Sequence, residues 1–143
     1  MSARWGSLAL ALFLSLGASA QADEPPFQAS LSCQPAAGRG RILCDLRARA
    51  THGRLVWSDA LVVRAPAFAR PLRSRFVAQL ESSTASGTAS ARLALVASAP
   101  GEGKLELLAR GVVCQERPSG EWCGPVQAPA TVDIRVSPSA PAP

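Results

Sequence analysis

The sequence has no tyrosine, a single histidine and a single lysine, and aromatic residues make up 5% of its 143 positions. The H-E-x-x-H zinc motif, the G-x-S-x-G nucleophile motif and phosphate-binding loops are absent as well. Hydrolase and nucleotide chemistry therefore have no support, and no cofactor is implied. His52 stands alone in a Thr-His-Gly turn and is predicted to be solvated. The carboxylates, Asp59 among them, are scattered over predicted outer faces, where nothing pairs them for acid–base catalysis.

Long runs of like charge are also missing. Residues 23–143, which follow the predicted signal peptide described below, carry fourteen basic and ten acidic side chains, a net charge of +4. No five basic residues follow one another. Nucleic-acid binding is therefore not predicted. Arg70, Arg73 and Arg75 form the densest basic patch and are predicted to be a solvated face. Attraction to acidic surfaces is the most that this charge implies.

Only one long hydrophobic run is present, at residues 8–16, and it is short for a membrane span of about 20 residues. Arg4 precedes it, and Ala20-Gln21-Ala22 follows it with the small-x-small pattern of a signal-peptide cleavage site. Residues 1–22 are therefore predicted to be a signal peptide, with cleavage after Ala20 as the alternative. No cysteine lies at this site to carry a lipid anchor. We expect a periplasmic or secreted protein without a membrane span after cleavage.

Helical periodicity is nearly absent from the rest of the chain, whereas apolar residues recur at every second position. One face of a first strand carries Phe27, Ala29, Leu31 and Cys33, and one face of a second carries Ile42, Cys44, Leu46 and Ala48. The segment 35–40 between them is rich in proline and glycine and predicts a hairpin. Placing Cys33 opposite Cys44 also places Leu31 opposite Leu46, so one register satisfies the core pattern and the sulfur pairing together.

Further short alternating segments predict an immunoglobulin-like antiparallel β-sandwich of about seven or eight strands over residues 23–136, with a disordered tail at 137–143. One or two strands are expected at 55–65. A strand at 72–82 is expected to direct Leu72, Phe76, Ala78 and Leu80 inward. Segments 92–99 and 104–115 are expected to form a second hairpin, with a bulge at Gly111. A closing strand is expected at 131–136.

Four cysteines in a small exported domain predict two disulfides. Of the three connectivities, Cys33–Cys44 with Cys114–Cys123 is favoured, because each pair is joined through a local turn. The long C-x10-C and C-x8-C spacings do not suit structural zinc, so no metal is predicted. Cys33–Cys44 alternates with core residues and is predicted to be structural. Cys114–Cys123 encloses a polar segment expected at the rim, where a disulfide can exchange with external thiols; a purely structural role fits it equally well.

Three stretches resemble one known family: Gly111-Val-Val-Cys114, Trp122-Cys123-Gly-Pro125 and Thr131-Val-Asp-Ile-Arg-Val136. They are similar to the C-terminal end of the N-terminal, immunoglobulin-like periplasmic domain of the thiol:disulfide interchange protein DsbD. In that family a strand, a cysteine, a short loop, a second cysteine followed by proline, and a closing strand succeed one another. The resemblance implies that Cys114 and Cys123 are the catalytic redox pair and that a thioredoxin-like periplasmic protein is the partner. Here the segment between the two cysteines is longer, and Cys33–Cys44 is an additional pair.

Two tryptophans and a proline are further candidate residues. Trp122 and Pro125 are predicted to contact the partner, since indole rings often anchor interfaces; alternatively, Trp122 packs over the disulfide as a lid. Trp57 is predicted to belong to the sandwich core. The alternative function for the whole domain is a non-catalytic, disulfide-stabilised sandwich that binds a protein partner through its rim loops.

Overall fold

The computed structural model describes residues 24–81 and 87–139. The predicted signal peptide, at residues 1–22, lies outside them, as do residues 140–143 of the predicted tail. The described chain is all-β. Its ten strands are β1 Phe27–Cys33, β2 Ala36–Ala37, β3 Gly40–Ala50, β4 Arg54–Arg64, β5 Ala69–Pro71, β6 Arg75–Val77, β7 Gln79–Leu80, β8 Thr88–Ala97, β9 Gly101–Arg117 and β10 Gly120–Ser137.

Over residues 24–81 and 87–139, no helix is long and apolar enough to span a bilayer.

The strands form two sheets with the order of an immunoglobulin domain. One sheet, sheet A, has the order β1-β3-β8-β5, with β7 also paired to β8; the other, sheet B, has the order β2-β10-β9-β4-β6. In sheet A, strands β1, β3, β8 and β5 correspond to the immunoglobulin strands A, B, E and D. In sheet B, strands β10, β9 and β4 correspond to G, F and C. The predicted fold class is confirmed. The structure has ten strands where seven or eight were expected, and four of the ten have only two or three residues.

The first predicted hairpin is confirmed in register. Cys33 pairs with Cys44, Leu31 with Leu46 and Ala29 with Ala48. The alternate residues of β3 that were predicted to face inward are all buried: Ile42, Cys44, Leu46 and Ala48. The core also contains many alanines, which let the facing sheets approach closely around a few large side chains. The largest fully buried apolar residues are Ile42, Leu46, Leu93, Leu95, Leu105 and Leu107.

The predicted strand at 72–82 is wrong as a single element of one sheet. β5 and β7 pair with β8 in sheet A, whereas β6 between them pairs with β4 in sheet B. The segment thus alternates between the two sheets and closes one side of the sandwich. Because it bridges the two sheets, its apolar residues do not all face the core: Ala78 is buried, but Leu72 and Leu80 are 56% and 43% exposed.

The predicted second hairpin is also wrong. β8 belongs to sheet A and β9 to sheet B, so the turn at residues 98–100 carries the chain from one sheet to the other. The expected bulge lies on the neighbouring strand: the β4–β9 register shifts between Leu55 and Trp57, beside Gly111. A two-sided alternating pattern looks the same whether consecutive strands pair or face each other across a core, which is why the sequence did not separate these cases.

The long hairpin of the structure is formed by β9 and β10. Their register is unbroken from Gly101 opposite Val136 to Arg117 opposite Gly120. The predicted closing strand at 131–136 is therefore the end of an 18-residue strand. The predicted polar rim loop between Cys114 and Cys123 is wrong. The residues between these cysteines belong to the ends of β9 and β10, which are joined by a turn at 118–119. Gly120, the first residue of β10, has a φ of +112°.

Candidate functional site

The Cys114–Cys123 disulfide joins directly opposite residues of β9 and β10, near the end of their hairpin. Their Cα atoms are 4.0 Å apart, as in the closer, non-hydrogen-bonded kind of antiparallel pair. Because alternate residues of a strand lie on opposite faces, Cys114 shares its face with Val112 and Arg110, away from the buried Val113. The bridge thus lies on the outer face of sheet B.

The two cysteine residues differ in exposure. Cys123 is exposed, whereas Cys114 is 4% exposed. Arg54 on β4 lies opposite Cys114, and its Nη2 donates to Oε2 of Glu121 on β10 at 2.9 Å. Since β9 lies between β4 and β10, this ion pair crosses β9 on the face that carries Cys114, which accounts for the low exposure of that cysteine. Solvent reaches the bridge from the Cys123 side.

A carboxylate also lies beside the exposed sulfur. Oε1 of Glu121 is 3.8 Å from Sγ of Cys123. A negative charge at this distance disfavours a thiolate on Cys123, and the Arg54 guanidinium partly offsets it. Arg54 lies opposite Cys114 in the β4–β9 register, and the Glu121 carboxylate is within 4.8 Å of both sulfurs. The Arg54–Glu121 ion pair therefore lies beside the whole disulfide.

Trp122 lies on the other face of the hairpin. It precedes Cys123, so its side chain leaves β10 on the opposite side, next to Gly124, where no Cβ separates the indole from the backbone. The Arg117 guanidinium lies 4.3 Å from the centre of the indole ring, a cation–π distance. Trp122 is 48% exposed. It is not a lid on the disulfide, because the strand itself lies between them.

Pro125 lies on the same face as Cys123, two residues along β10. It pairs with Val112, which also pairs with Trp57 on β4. These three residues line a shallow depression of about 450 Å³. Trp57 is 37% exposed there, so its predicted place in the core is wrong: the bulge before it directs its side chain to the outer face. The disulfide adjoins this apolar depression.

Asp59 is the buried charged residue that the sequence did not reveal. Its side chain is fully buried, although β4 directs it to the outer face of sheet B. Arg110 donates to both carboxylate oxygens, at 2.9 and 2.6 Å, and Arg75 donates to Oδ2 at 2.6 Å. The hydrogen bonds from Arg110 hold the pKa of Asp59 below its ordinary value; burial opposes this shift and Arg75 reinforces it.

The expectation that Asp59 is a solvated acid is thereby corrected. Its two arginines are 16 and 51 residues away along the chain, and no local pattern links them to it. The predicted basic patch is divided as well, because Arg70 lies in sheet A and Arg75 in sheet B, paired with Asp59.

The Cys33–Cys44 disulfide has a different environment. It joins directly opposite residues of β1 and β3. Cys44 is fully buried and belongs to the hydrophobic core, and Cys33 is half-buried against that core. Both predicted pairings are thus present in the structure, one with a sulfur in the core and one on an outer face. Two disulfides within one chain indicate an oxidising, extracellular-type environment.

Other candidate ligands add little to the site. The ligand atoms of Cys114, Glu121 and Cys123 lie within 4.8 Å of one another, but the two sulfurs are bonded to each other and are not thiolate ligands in this state. His52 is exposed in its turn, where its carbonyl oxygen accepts a bond from Gln115 at 3.4 Å.

A comparison of the chain with protein-family models and with curated proteins finds no match.

Proposed function

We propose that this domain carries electrons by thiol–disulfide exchange at Cys114–Cys123, with a thioredoxin-like periplasmic protein as its partner. The observation that supports this best is the exposure of Cys123 on an outer sheet face, at the end of a hairpin. An incoming thiolate must approach a disulfide sulfur directly, and Cys123 is open to such an approach. Cys44 in the core is not.

The exchange proceeds in two displacements. A partner thiolate attacks Sγ of Cys123, the Cys114–Cys123 bond breaks, and the electron pair leaves on Sγ of Cys114. The second thiolate of the partner then attacks the first partner sulfur in the mixed disulfide, and the thiolate of Cys123 leaves. The partner dithiol becomes a disulfide, while Cys114 and Cys123 gain two electrons and two protons and become thiols. In the reverse sequence the Cys114 and Cys123 thiols give two electrons and two protons to a partner disulfide: the partner becomes a dithiol, and the Cys114–Cys123 bond forms again.

The greater exposure of Cys123 supports it as the attacked residue. The leaving negative charge then develops on Cys114, opposite Arg54 in the β4–β9 register; the Glu121 carboxylate lies within 4.8 Å of both sulfurs and is paired with Arg54. A better-stabilised leaving thiolate departs faster. Pro125, on the face of the disulfide, continues the site into the depression with Trp57 and Val112, and this apolar surface is where the body of a partner would rest.

The test is differential reduction of the two disulfides. The folded protein is equilibrated in glutathione or dithiothreitol buffers of graded potential, thiols are alkylated, and each cysteine is quantified by mass spectrometry. We expect Cys114–Cys123 to be reduced under milder conditions, while Cys33–Cys44 stays oxidised and serves as the internal control. Equal resistance of both bridges, with potentials below about −300 mV, would mark both as structural.

The alternative function is a non-catalytic sandwich that binds a protein partner through the end of the β9–β10 hairpin. The half-exposed Trp122, stacked under Arg117, favours this candidate, since exposed indole rings frequently anchor interfaces. Under this alternative, replacing both Cys114 and Cys123 lowers stability but leaves partner binding largely intact. Under the redox proposal, the same replacement abolishes electron transfer.

A further inference from the structure

The outer face of sheet A carries a strong excess of positive charge. Its strands hold five arginines and one acid, whereas the strands of sheet B hold seven bases and six acids. Alternation in β3, β5 and β8 directs all five arginines outward, and all five are exposed. Most of the net charge of the protein therefore lies on one of its two faces. These arginines are Arg41, Arg47, Arg49, Arg70 and Arg92.

Only part of this charge is neutralised within the described chain. Arg92 donates to Asp45 at 2.8 Å, and Arg49 pairs with Glu24 at 3.0 Å. Among the described residues, Arg41, Arg47 and Arg70 have no acidic side chain within ion-pair distance. On sheet B, by contrast, arginines of the outer face are paired with Asp59, Glu102 and Glu121.

A broad, shallow depression of about 730 Å³ lies in the middle of this basic face. The strand registers align its side chains in rows across the sheet. One row runs Ser30, Arg47, Ser90, Gln79 across β1, β3, β8 and β7, and the next runs Ser32, Asp45, Arg92. With strands about 4.8 Å apart, the first row is about 14 Å long. It presents hydroxyl, guanidinium and amide groups in line.

We infer that this depression binds an anionic polysaccharide. The guanidinium of Arg47 in the middle of the row suits a carboxylate or sulfate group, and the serines and the glutamine suit sugar hydroxyls on either side. None of the described residues that line the depression is aromatic, so charge and hydrogen bonds, and not stacking, provide the affinity. A bilayer surface fits less well, because the depression is concave and Val77 is the one exposed apolar side chain among the residues that line it.

The test measures binding of the disulfide-bonded protein to polygalacturonate and to heparin by calorimetry at low and at physiological salt, with neutral dextran as the uncharged probe. We expect binding to the two polyanions that weakens as salt rises, and none to dextran. Arg47→Gln should weaken it about tenfold, since it removes a charge-assisted hydrogen bond. The matched control Arg135→Gln, on sheet B, makes the same change in net charge and should stay within about twofold.

A second variant tests the row without changing charge. Ser90→Ala should weaken polysaccharide binding about threefold, because it removes one hydrogen-bonding hydroxyl next to Arg47. If the near-ultraviolet circular dichroism of Arg47→Gln shows that this variant does not fold, Ser90→Ala still tests whether polysaccharide binds at this row. Equal losses in Arg47→Gln and Arg135→Gln would overturn the inference in favour of diffuse net charge. So would the absence of polyanion binding, or binding to phosphatidylglycerol vesicles alone.

Discussion

At the scale of single residues, the least expected feature is a fully buried carboxylate on an outer sheet face. Asp59 is removed from water by the two arginines that neutralise it, and these are themselves 36% and 55% exposed. Burial of an unpaired carboxylate would be very costly. Three hydrogen bonds to guanidinium groups offset that cost and tie β4 to both of its neighbours, β6 and β9.

Replacing this carboxylate tests its contribution to stability. We expect Asp59→Asn to lower the free energy of unfolding at pH 7 by about 1–3 kcal/mol, because the amide has no negative charge and presents an NH2 group in place of one of the two oxygens that accept from the arginines. The half-exposed arginines limit the loss, since water partly solvates them. Urea denaturation measures the difference. Asp133→Asn is the matched control: its carboxylate is exposed and lies 3.9 Å from Lys104, so a change below about 0.5 kcal/mol is expected.

The pH dependence of this contribution has a definite sign. The pKa of Asp59 is lower in the folded protein than in the unfolded chain, so the stabilisation is fully present above the unfolded value of about 4 and is lost as the pH falls through the folded value. The stability difference between the wild type and Asp59→Asn should therefore shrink between pH 5 and the acid limit. A difference that stays constant down to about pH 2 would contradict this account.

At the scale of elements, the β9–β10 hairpin positions the disulfide. Pro125 and Pro129 lie within β10, which is tolerated because, among residues 24–81 and 87–139, β10 has no hydrogen-bonded neighbour on its other side until Ala36 and Ala37 join its end. A proline lacks the N–H that a central strand needs. The same property makes this edge a poor template for pairing with another chain. A partner that binds beside Cys123 is therefore expected to contact side chains and not to add a strand to this edge.

The bulge in β4 leads to a prediction for Gly111. Gly111 faces it so closely that a Cβ would lie 2.8 Å from Cδ1 of Leu55 and 3.1 Å from the carbonyl oxygen of Trp57. We expect Gly111→Ala to lower the melting temperature and to destabilise the protein by about 1–3 kcal/mol through overpacking. The displaced Trp57 should also change its fluorescence. An unaltered melting temperature would show that the bulge yields without cost.

At the scale of the whole molecule, two disulfides and an uneven charge distribution divide the sandwich into faces with different properties. Sheet A contains the buried Cys44 and presents the basic, hydroxyl-lined surface. Sheet B presents the Cys114–Cys123 bridge and the depression beside Trp57. Because the two outer faces are separated by the core, the proposed exchange and the inferred polysaccharide binding can be tested independently.

Removing each bridge should affect stability unequally. Each closes a short loop, with sequence separations of 11 and 9, worth about 2–3 kcal/mol in the chain-entropy description. Cys33→Ala with Cys44→Ala also removes a sulfur from the core, so this variant should lose about 1 kcal/mol more than Cys114→Ala with Cys123→Ala. Denaturant titration of the two double variants measures the difference. The opposite order would assign the larger structural role to the outer bridge.

Much of this arrangement could be predicted because it is local or strictly periodic. Alternation of apolar residues predicted the β1–β3 register, and the short spacing between cysteines favoured, among three connectivities, the two pairings that the structure contains. The β8–β9 connection and the divided segment 69–80 could not be read in this way, since a strand with one buried face has the same pattern whichever sheet it joins. The face of Trp122 followed from its place next to Cys123, once the loop between the two cysteines proved to be strand.

The sequence by itself determined that the chain is all-β, which residues face the core in its first hairpin, and which cysteines pair. These depend on neighbours within about a dozen residues and on the two-residue period of a strand. Only the tertiary structure decided that Asp59 is buried, that the Arg54–Glu121 pair crosses β9 beside Cys114, and that five arginines share one face. Those contacts join residues from distant strands, and sheet order, which no local pattern encodes, brings them together.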